Sequence, residues 1–285
     1  MNRRDVLKRI GAAGVIAAFG VYGFKIEPNN IEQNYFSLKT TKLTRKVRIV
    51  HLSDTHFDND LSRYRISGMV NRLNPDVIVM TGDYTNPPHD IYLKRFKQFI
   101  NAMQAKQGIY ACFGNWDDGF EDLMFRDTAV KTLRDSSIRL EFGSDKVQIF
   151  GMNYLMQYVS RVVLNDMFRS ADSKDYNVFL YHSPDLIDMV AETSRIDLYL
   201  SGHTHGGLIR VPFLKAFEEP ECRGTFPYTG ALLMPYSKYG RKYDAGLYTV
   251  KGTTLYVSKG IGIHGKLPFR INCNPEITIF DIGPG

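Results

Sequence analysis

Residues 47–56 read VRIVHLSDTH, a run rich in β-branched and apolar residues that is followed at once by a polar turn. The same arrangement recurs in VIVMTGD at 77–83 and in IYACFGNWD at 109–117. Short apolar runs that end in turn residues are typical of buried strands. The segments between them, 62–73 and 90–106, carry apolar residues at helix spacing. Strand and helix segments that alternate in this way predict an α/β fold with much parallel strand pairing.

The alternation continues to the C-terminus without a composition shift that would divide it into separate domains. Further strands are predicted at 147–152, 178–181, 198–200, 246–250, 254–257 and 277–282. The last three follow one another without helical segments between them, which indicates a second sheet of mixed strand direction. We therefore predict a single domain at 46–285, preceded by a linker or edge segment at 25–45.

Residues 1–24 have the pattern of a targeting segment, with a basic start and an apolar run at 10–24. The apolar run is shorter than the ~20 residues that a membrane span needs. The pair formed by Arg3 and Arg4 resembles a twin-arginine export signal. No clear small-residue cleavage site follows Phe24, so the segment is expected to direct export and to remain as a weak anchor. The alternative is a leader that lies on the cytoplasmic face of the membrane.

The composition is that of a globular protein, with 44% hydrophobic and 23% charged residues among 285. Half of the formal net charge of +6 belongs to residues 1–24, where four basic residues stand against one acidic residue. The remainder is too small to predict nucleic acid binding, and it is compatible with an anionic substrate or a membrane surface. The three cysteines form no CxxC pair, so neither a zinc ribbon nor a redox motif is predicted.

Five predicted strands end just before a polar residue of metal-binding type. These residues are Asp54, Asp83, Asn115, His182 and His203. Because the strand ends of an open α/β sheet border one crevice, we expect the five side chains to lie together. Carboxylate, imidazole and amide groups without a thiolate suit Mn²⁺, Fe²⁺ or Zn²⁺. A carboxylate such as Asp83 can bridge two cations, and two cations roughly 3.5–4 Å apart can hold a hydroxide between them and clamp a phosphoryl group.

Five short motifs stand in a characteristic order along this part of the chain. They are Asp54-Thr55-His56, Gly82-Asp83, Gly114-Asn115-Trp116-Asp117, His182 and Gly202-His203-Thr204-His205. This ordered set resembles the calcineurin-like metallophosphoesterases, and the sequence from 206 to 277 resembles the YkuE/YaeI-type branch of bacterial phosphoesterases. The resemblance implies an α/β fold, a four-layer α/β/β/α sandwich of two mixed sheets flanked by helices.

The resemblance also implies two metal sites that share the carboxylate of Asp83. The first site would consist of Asp54, His56, Asp83 and His205, and the second of Asp83, Asn115, His182 and His203. The residues expected to act in catalysis are Asp54, Asp83, Asn115 and His182. The implied cofactors are two divalent metal ions, with Mn²⁺, Zn²⁺ and Fe²⁺ as the alternatives.

Trp116 stands where the family has a histidine that contacts the phosphate and helps the leaving group to depart. Indole can donate a hydrogen bond but cannot act as an acid, and general-acid help is worth ~10²–10⁴-fold in rate. Three outcomes remain open. The leaving group is good enough to need no acid, as in a diphosphate; or His264, His89 or Tyr84 supplies the proton; or catalysis is slow or lost.

Substrate contacts are expected from Arg241 and Arg270, because a guanidinium matches phosphate geometry, and from Trp116 and His264. The predicted function is a binuclear-metal phosphoesterase that hydrolyses a phosphodiester or diphosphate of a membrane-associated small molecule or lipid by attack of the hydroxide held between the metals. One alternative is a UDP-2,3-diacylglucosamine pyrophosphohydrolase-type lipid enzyme. Another is a catalytically weak metal-binding scaffold, which the replacement at Trp116 would favour.

Overall fold

The computed structural model describes most of the chain. The described residues are 14, 17–18, 20–57, 64–86, 90–154, 159–210, 237, 242–262 and 269–285. The predictions for His89, Arg241 and His264, and for most of the leader, lie outside these residues. Among the helices in the described ranges, none is both long enough and apolar enough to cross a bilayer.

Within the described residues, the first sheet has six strands and contains the three runs 47–52, 77–81 and 109–112. The strands are β1 (Glu32–Lys39), β2 (Val47–Leu52), β3 (Val77–Thr81), β4 (Ile109–Cys112), β5 (Val130–Thr132) and β12 (Glu276–Gly283). Their spatial order is β1, β12, β2, β3, β4, β5. All neighbouring pairs are parallel except β12 with β2. The segment 25–45, predicted as a linker or an edge segment, thus contributes the edge strand β1 to this sheet.

The second sheet also has six strands in the part of the chain that the structure describes. They are β6 (Ser136–Phe142), β7 (Asp145–Gly151), β8 (Tyr176–Leu180), β9 (Leu198–Ser201), β10 (Gly246–Val250) and β11 (Thr253–Val257). The spatial order is β10, β11, β9, β8, β7, β6, with parallel pairing in the centre and an antiparallel pair at each edge. The predicted mixed sheet is confirmed, but the last predicted strand, 277–282, belongs to the first sheet. The chain therefore crosses between the sheets after β11, and we call the described residues of this connection, 258–262 and 269–275, the crossing loop.

Alternate residues of each central strand face opposite layers, as a pleated strand requires. Val77 and Val79 of β3 pack between the two sheets, whereas Ile78 and Met80 pack under helices. Among the described residues, the helices that cover the first sheet are α1 (Tyr64–Arg72), α2 (Asp90–Asn101) and α3 (Glu121–Phe125). Two cover the second, α4 (Arg161–Met167) and α5 (Ile187–Glu192). The four-layer α/β/β/α sandwich is thus confirmed.

Helix α2 ends at Asn101, whereas the sequence predicts helix to residue 106. The side chain of Asn71 in α1 donates to the carbonyl of Ala102 at 2.8 Å and accepts the main-chain N–H of Gln104 at 2.9 Å. A neighbouring helix therefore binds the polar main-chain groups that would otherwise have extended α2.

Candidate metal centre

The seven predicted ligands meet at one end of the sandwich, beyond the carboxyl ends of strands from both sheets. Asp54 and His56 follow β2, Asp83 follows β3 and Asn115 follows β4. From the second sheet, His182 follows β8, and His203 and His205 follow β9. The strand-end positions that suggested one crevice in the sequence therefore lie together in the fold.

The first group of ligands consists of Asp54, His56 and His205, all of them buried. Their ligand atoms lie within 4.8 Å of one another. Nε2 of His56 is 3.2 Å from Nε2 of His205, and the latter atom is 3.5 Å from Oδ1 of Asp54. Two imidazoles and a carboxylate that converge in this way form a face for one cation.

The second group consists of Asp83, His182 and His203, again buried and within 4.8 Å of one another. Oδ2 of Asp83 is 3.2 Å from Nε2 of His182. The same oxygen is 3.7 Å from Nε2 of His56, a member of the first group. Asp83 therefore faces both groups, which is the position that a bridging carboxylate needs.

Two details of the hydrogen bonding fit a cation at the second group. Oδ1 of Asn115 is shielded from solvent and has no hydrogen-bond partner among the described residues, and such an orphaned acceptor needs an explanation. Nδ1 of His182 lies 2.6 Å from the carbonyl oxygen of Thr81. This contact assigns the proton to Nδ1 and leaves Nε2 available as a ligand atom. The residues present therefore fit divalent cations.

Most of the ligands adopt a left-handed main-chain conformation, which is uncommon for residues other than glycine. The φ angles are 50° at Asp54, 37° at His56, 57° at Asp83, 71° at His203 and 50° at His205. Each such residue costs roughly 1–3 kcal/mol and persists only where the surroundings enforce it. The strain is concentrated at the strand ends, where it turns alternate side chains toward the same crevice.

Asp117 holds two of the ligand loops in place from beneath. Its buried carboxylate accepts main-chain N–H groups from Asp83 at 2.8 Å, from Tyr84 at 2.9 Å and from Gly114 at 2.7 Å. The loops after β3 and β4 are thus tied to one side chain. A further hydrogen bond joins the same two loops, because the main-chain N–H of Trp116 donates to Oδ1 of Asp83 at 2.9 Å.

Charges within the cluster depend strongly on one another. Burial opposes the charged forms of both Asp83 and His182, but their attraction outweighs it, lowering the pKa of Asp83 and raising the pKa of His182. Burial raises the pKa of Asp54, although His182 acts in the opposite direction. The carboxylates thus hold positive charge in the interior, and a bound cation would take over that role from protonated imidazole.

Comparison with known proteins decides the family. The model for calcineurin-like phosphoesterases matches residues 47–207, the part of the chain that carries all seven predicted ligands. The chain belongs to the calcineurin-like phosphoesterase family. It is accordingly a metal-dependent phosphoric ester hydrolase.

Relatives within the family extend the similarity over almost the whole chain. The metallophosphoesterase YkuE of Bacillus subtilis is 28% identical, over 99% of this chain and 98% of its own length. The phosphodiesterase YaeI of Escherichia coli is 25% identical over 99% of each chain. The UDP-2,3-diacylglucosamine pyrophosphatase LpxG of Chlamydia trachomatis is 24% identical over 82% of each. The resemblance to the YkuE/YaeI-type branch is confirmed.

In this protein, aromatic rings lie beside both ligand groups. The ring of Trp116 meets that of His56 edge-on, with the centroids 6.2 Å apart. The ring of Tyr154 lies 5.6 Å from that of His182 and 5.5 Å from that of His203. Tyr154 was not predicted, although it follows the end of β7 as the ligands follow theirs. A search for polar or aromatic residues just after every predicted strand would have identified Tyr154.

Two other predicted roles do not fit the positions of their residues. The guanidinium of Arg270 is fully buried and donates to the carbonyl oxygens of Gly262 at 2.6 Å and Cys273 at 3.0 Å. This favours a structural role in the crossing loop over contact with a phosphate. The hydroxyl of Tyr84, considered as a proton donor, is also buried. It donates to the carbonyl of Cys112 and accepts the N–H of Gly82 at 3.1 Å. It lies in the core beneath the site and does not reach a leaving group.

Proposed function

We propose that the chain hydrolyses a phosphodiester or a diphosphate at a centre of two divalent cations, and that the substrate is membrane-associated. One observation carries the binuclear part of the proposal. Oδ2 of Asp83 lies 3.2 Å from Nε2 of His182 in one ligand group and 3.7 Å from Nε2 of His56 in the other. A carboxylate that belongs to one ligand group and also faces a ligand of the other is what a centre of two cations needs, and a centre with a single cation does not require it.

The residues divide the work of such a centre between them. Asp54, His56 and His205 would hold one cation, Asn115, His182 and His203 the other, and Asp83 both. Bound cations would supply Lewis-acid polarisation of the phosphoryl oxygens and would lower the pKa of a water molecule at the centre. The hydrogen bond from Nδ1 of His182 to the Thr81 carbonyl fixes the ring, so that Nε2 keeps its direction throughout turnover.

Trp116 limits which leaving groups the centre can expel. An indole N–H can stabilise an oxygen by hydrogen bonding but cannot transfer its proton. A leaving group that is stable as an anion, such as the phosphate of a diphosphate or an acidic alcohol, needs no such transfer. A lipid-linked diphosphate meets this requirement, and the relative LpxG is named a UDP-2,3-diacylglucosamine pyrophosphatase. A UDP-diacylglucosamine-type substrate is therefore the leading specific candidate.

The proposal is tested by measuring hydrolysis rates of two phosphodiesters in the presence of Mn²⁺. The two esters differ only in the leaving group, which is p-nitrophenolate in the first and an alkoxide in the second. We expect the wild-type protein to hydrolyse the first and to be slow on the second. The variant Trp116→His should raise the rate on the alkoxide ester by roughly 10²-fold, at the low end of general-acid catalysis, and should change the other rate little. Trp116→Phe is the matched control, since it keeps an aromatic ring without an acid.

Two results would contradict the proposal. Equal wild-type rates on the two esters would mean that another group supplies the proton, and the restriction to good leaving groups would fall. Two bound metal ions per chain without turnover of either ester or of a diphosphate would instead favour the non-catalytic scaffold. Metal content measured on the same protein separates these cases.

A further inference from the structure

The segment 20–29, which we call the strap, packs against the crossing loop. It contains a π-helical turn, Tyr22–Ile26, and a 3₁₀ turn, Glu27–Asn29. The carbonyl of Gly23 accepts the main-chain N–H of Arg270 at 2.9 Å. The rings of Phe24 and Phe269 lie 4.6 Å apart.

The strap is also joined to the crossing loop through a buried side chain. Glu27 has no solvent exposure, and its carboxylate accepts the main-chain N–H of Cys273. A carboxylate is rarely buried so completely on a segment that is not part of the fold. The strap, which includes the last residues of the predicted leader, therefore belongs to the folded domain.

The crossing loop connects the strap to the metal ligands. Sγ of Cys273 donates to the carbonyl of His205 at 3.2 Å. On the other side, Arg270 donates to the carbonyl of Gly262, whose own N–H donates to the carbonyl of Asp54 at 2.7 Å. One or two residues thus separate the strap from ligands of the first group, and the leader joins the domain at its catalytic end.

Apart from Lys25, the exposed side chains of the strap are apolar. Four large hydrophobic side chains lie within six consecutive residues, and their exposed fractions are 54% for Val21, 42% for Tyr22, 48% for Phe24 and 53% for Ile26. Single exposed hydrophobic residues are ordinary, but a cluster of them marks a binding surface. These four continue the apolar run at 10–20, which follows a basic start. Basic residues followed by an apolar surface are typical of a segment that lies in a lipid headgroup region.

We propose that the strap stays on the mature protein and lies in the headgroup region of an anionic lipid bilayer, so that the catalytic end of the sandwich is held next to the membrane. The substrate would then be a phosphodiester or diphosphate whose phosphorus lies at the membrane surface, and this part rests on the proposed function. The apolar run that is continuous with the strap selects a lipid surface rather than a protein partner.

The only tryptophan of the chain allows a direct test, because Trp116 lies at the catalytic end beside His56. The full chain is bound to vesicles of phosphatidylglycerol and phosphatidylethanolamine, with or without a spin label on the headgroup. We expect loss of tryptophan emission only with the labelled vesicles, since this quenching acts over short distances. Vesicle-bound protein with unquenched emission would place the catalytic end away from the bilayer and would overturn the proposal.

The double variant Val21→Asp with Ile26→Asp tests whether the strap makes the contact. Both side chains are more than half exposed, so the fold should tolerate the change. We expect vesicle binding at least ~10-fold weaker, because several methylene groups leave the interface, together with loss of the quenching. Tyr35→Asp is the matched control, since Tyr35 is 57% exposed in the middle of β1. Equal binding and quenching by the strap variant and this control would refute the role of the strap.

Two further measurements complete the test. The intact mass of the protein recovered from cell membranes should include residues 20–29, and a mature chain that begins after Asn29 would overturn the proposal. Hydrolysis of the soluble p-nitrophenyl ester should be the same in the strap variant and the wild type. If that activity is absent from both while quenching persists, the proposed function fails and the membrane surface stands.

Discussion

Two glycines with almost the same main-chain conformation allow the geometry of the metal centre to be tested by one methyl group. Gly82 has φ +91° and Gly252 has φ +89°. A Cβ on Gly252 would meet nothing within 4 Å, whereas a Cβ on Gly82 would lie 2.7 Å from Nδ1 of His182 and would also collide with the main chain of Gly114. Comparing Gly82→Ala with Gly252→Ala therefore separates the stability lost through the left-handed main-chain conformation from the stability lost through steric collision.

The expected magnitudes follow from these contacts. Both variants should lose roughly 1–2 kcal/mol of stability because an L-residue is forced into the left-handed region. Gly82→Ala should lose about 2–4 kcal/mol more, from overpacking and from the broken hydrogen bond between His182 and the Thr81 carbonyl. It should also lose metal at the second ligand group, since the ring of His182 must move.

The assay is denaturant unfolding of the metal-free proteins, with metal content measured separately after reconstitution with Mn²⁺. Gly252→Ala is expected to bind metal like the wild type. Equal destabilisation of the two variants, or normal metal content in Gly82→Ala, would refute the argument that the close approach of the loops after β3 and β4 sets the position of His182.

Three other substitutions test separate parts of the structure. Asp83→Ala should abolish both metal binding and turnover, and a variant with full activity on the p-nitrophenyl ester would rule out the bridging role. Asp117→Asn replaces one of the two oxygens that accept three main-chain N–H groups. It should lower the free energy of unfolding, measured with denaturant, by about 1–3 kcal/mol. An unchanged unfolding midpoint would argue against the role of Asp117 in joining the two loops. The third substitution concerns His51, whose pKa burial lowers to about 3. Below pH ~6.5 the unfolded chain therefore binds a proton that the folded chain does not, and the free energy of unfolding decreases as the pH decreases. Relative to His51→Gln, the wild type should lose about 2 kcal/mol more between pH 7 and 5, and equal losses in the two metal-free proteins would contradict the assignment.

Local sequence patterns predicted the central strands and brought the predicted ligands to one place, because both depend on short-range features. An apolar run followed by a polar turn marks a strand end wherever it occurs, and the ordered motifs supplied the identity of each ligand. The seven ligands all lie beyond strand ends, so an accurate reading of the strands was sufficient to bring them together.

Roles that depend on main-chain groups elsewhere in the fold were not predictable. The partners of Asp117 are N–H groups of two loops that are far apart along the chain, and no pattern of side chains in the sequence predicts them. Arg270 was expected at the substrate because guanidinium binds phosphate, yet carbonyl oxygens of the crossing loop surround it. The edge strand β1 has mostly half-buried and exposed residues, and its weak pattern allowed a linker as well as a strand.

The origin of the ligands on two different sheets has a thermodynamic consequence. Four of them follow strands of the first sheet and three follow strands of the second, so cations bound among them would brace the sandwich across its central layer. Binding to the folded state alone adds stability, by about 2.7 kcal/mol at a free-ion concentration of 100 Kd. A cavity made in the layer between the sheets, for instance by Val178→Ala, lowers the stability that bound cations would partly restore, so removal of metal should bring this variant closer to unfolding than the wild type. Bound metal would therefore also hold the two halves of the molecule together.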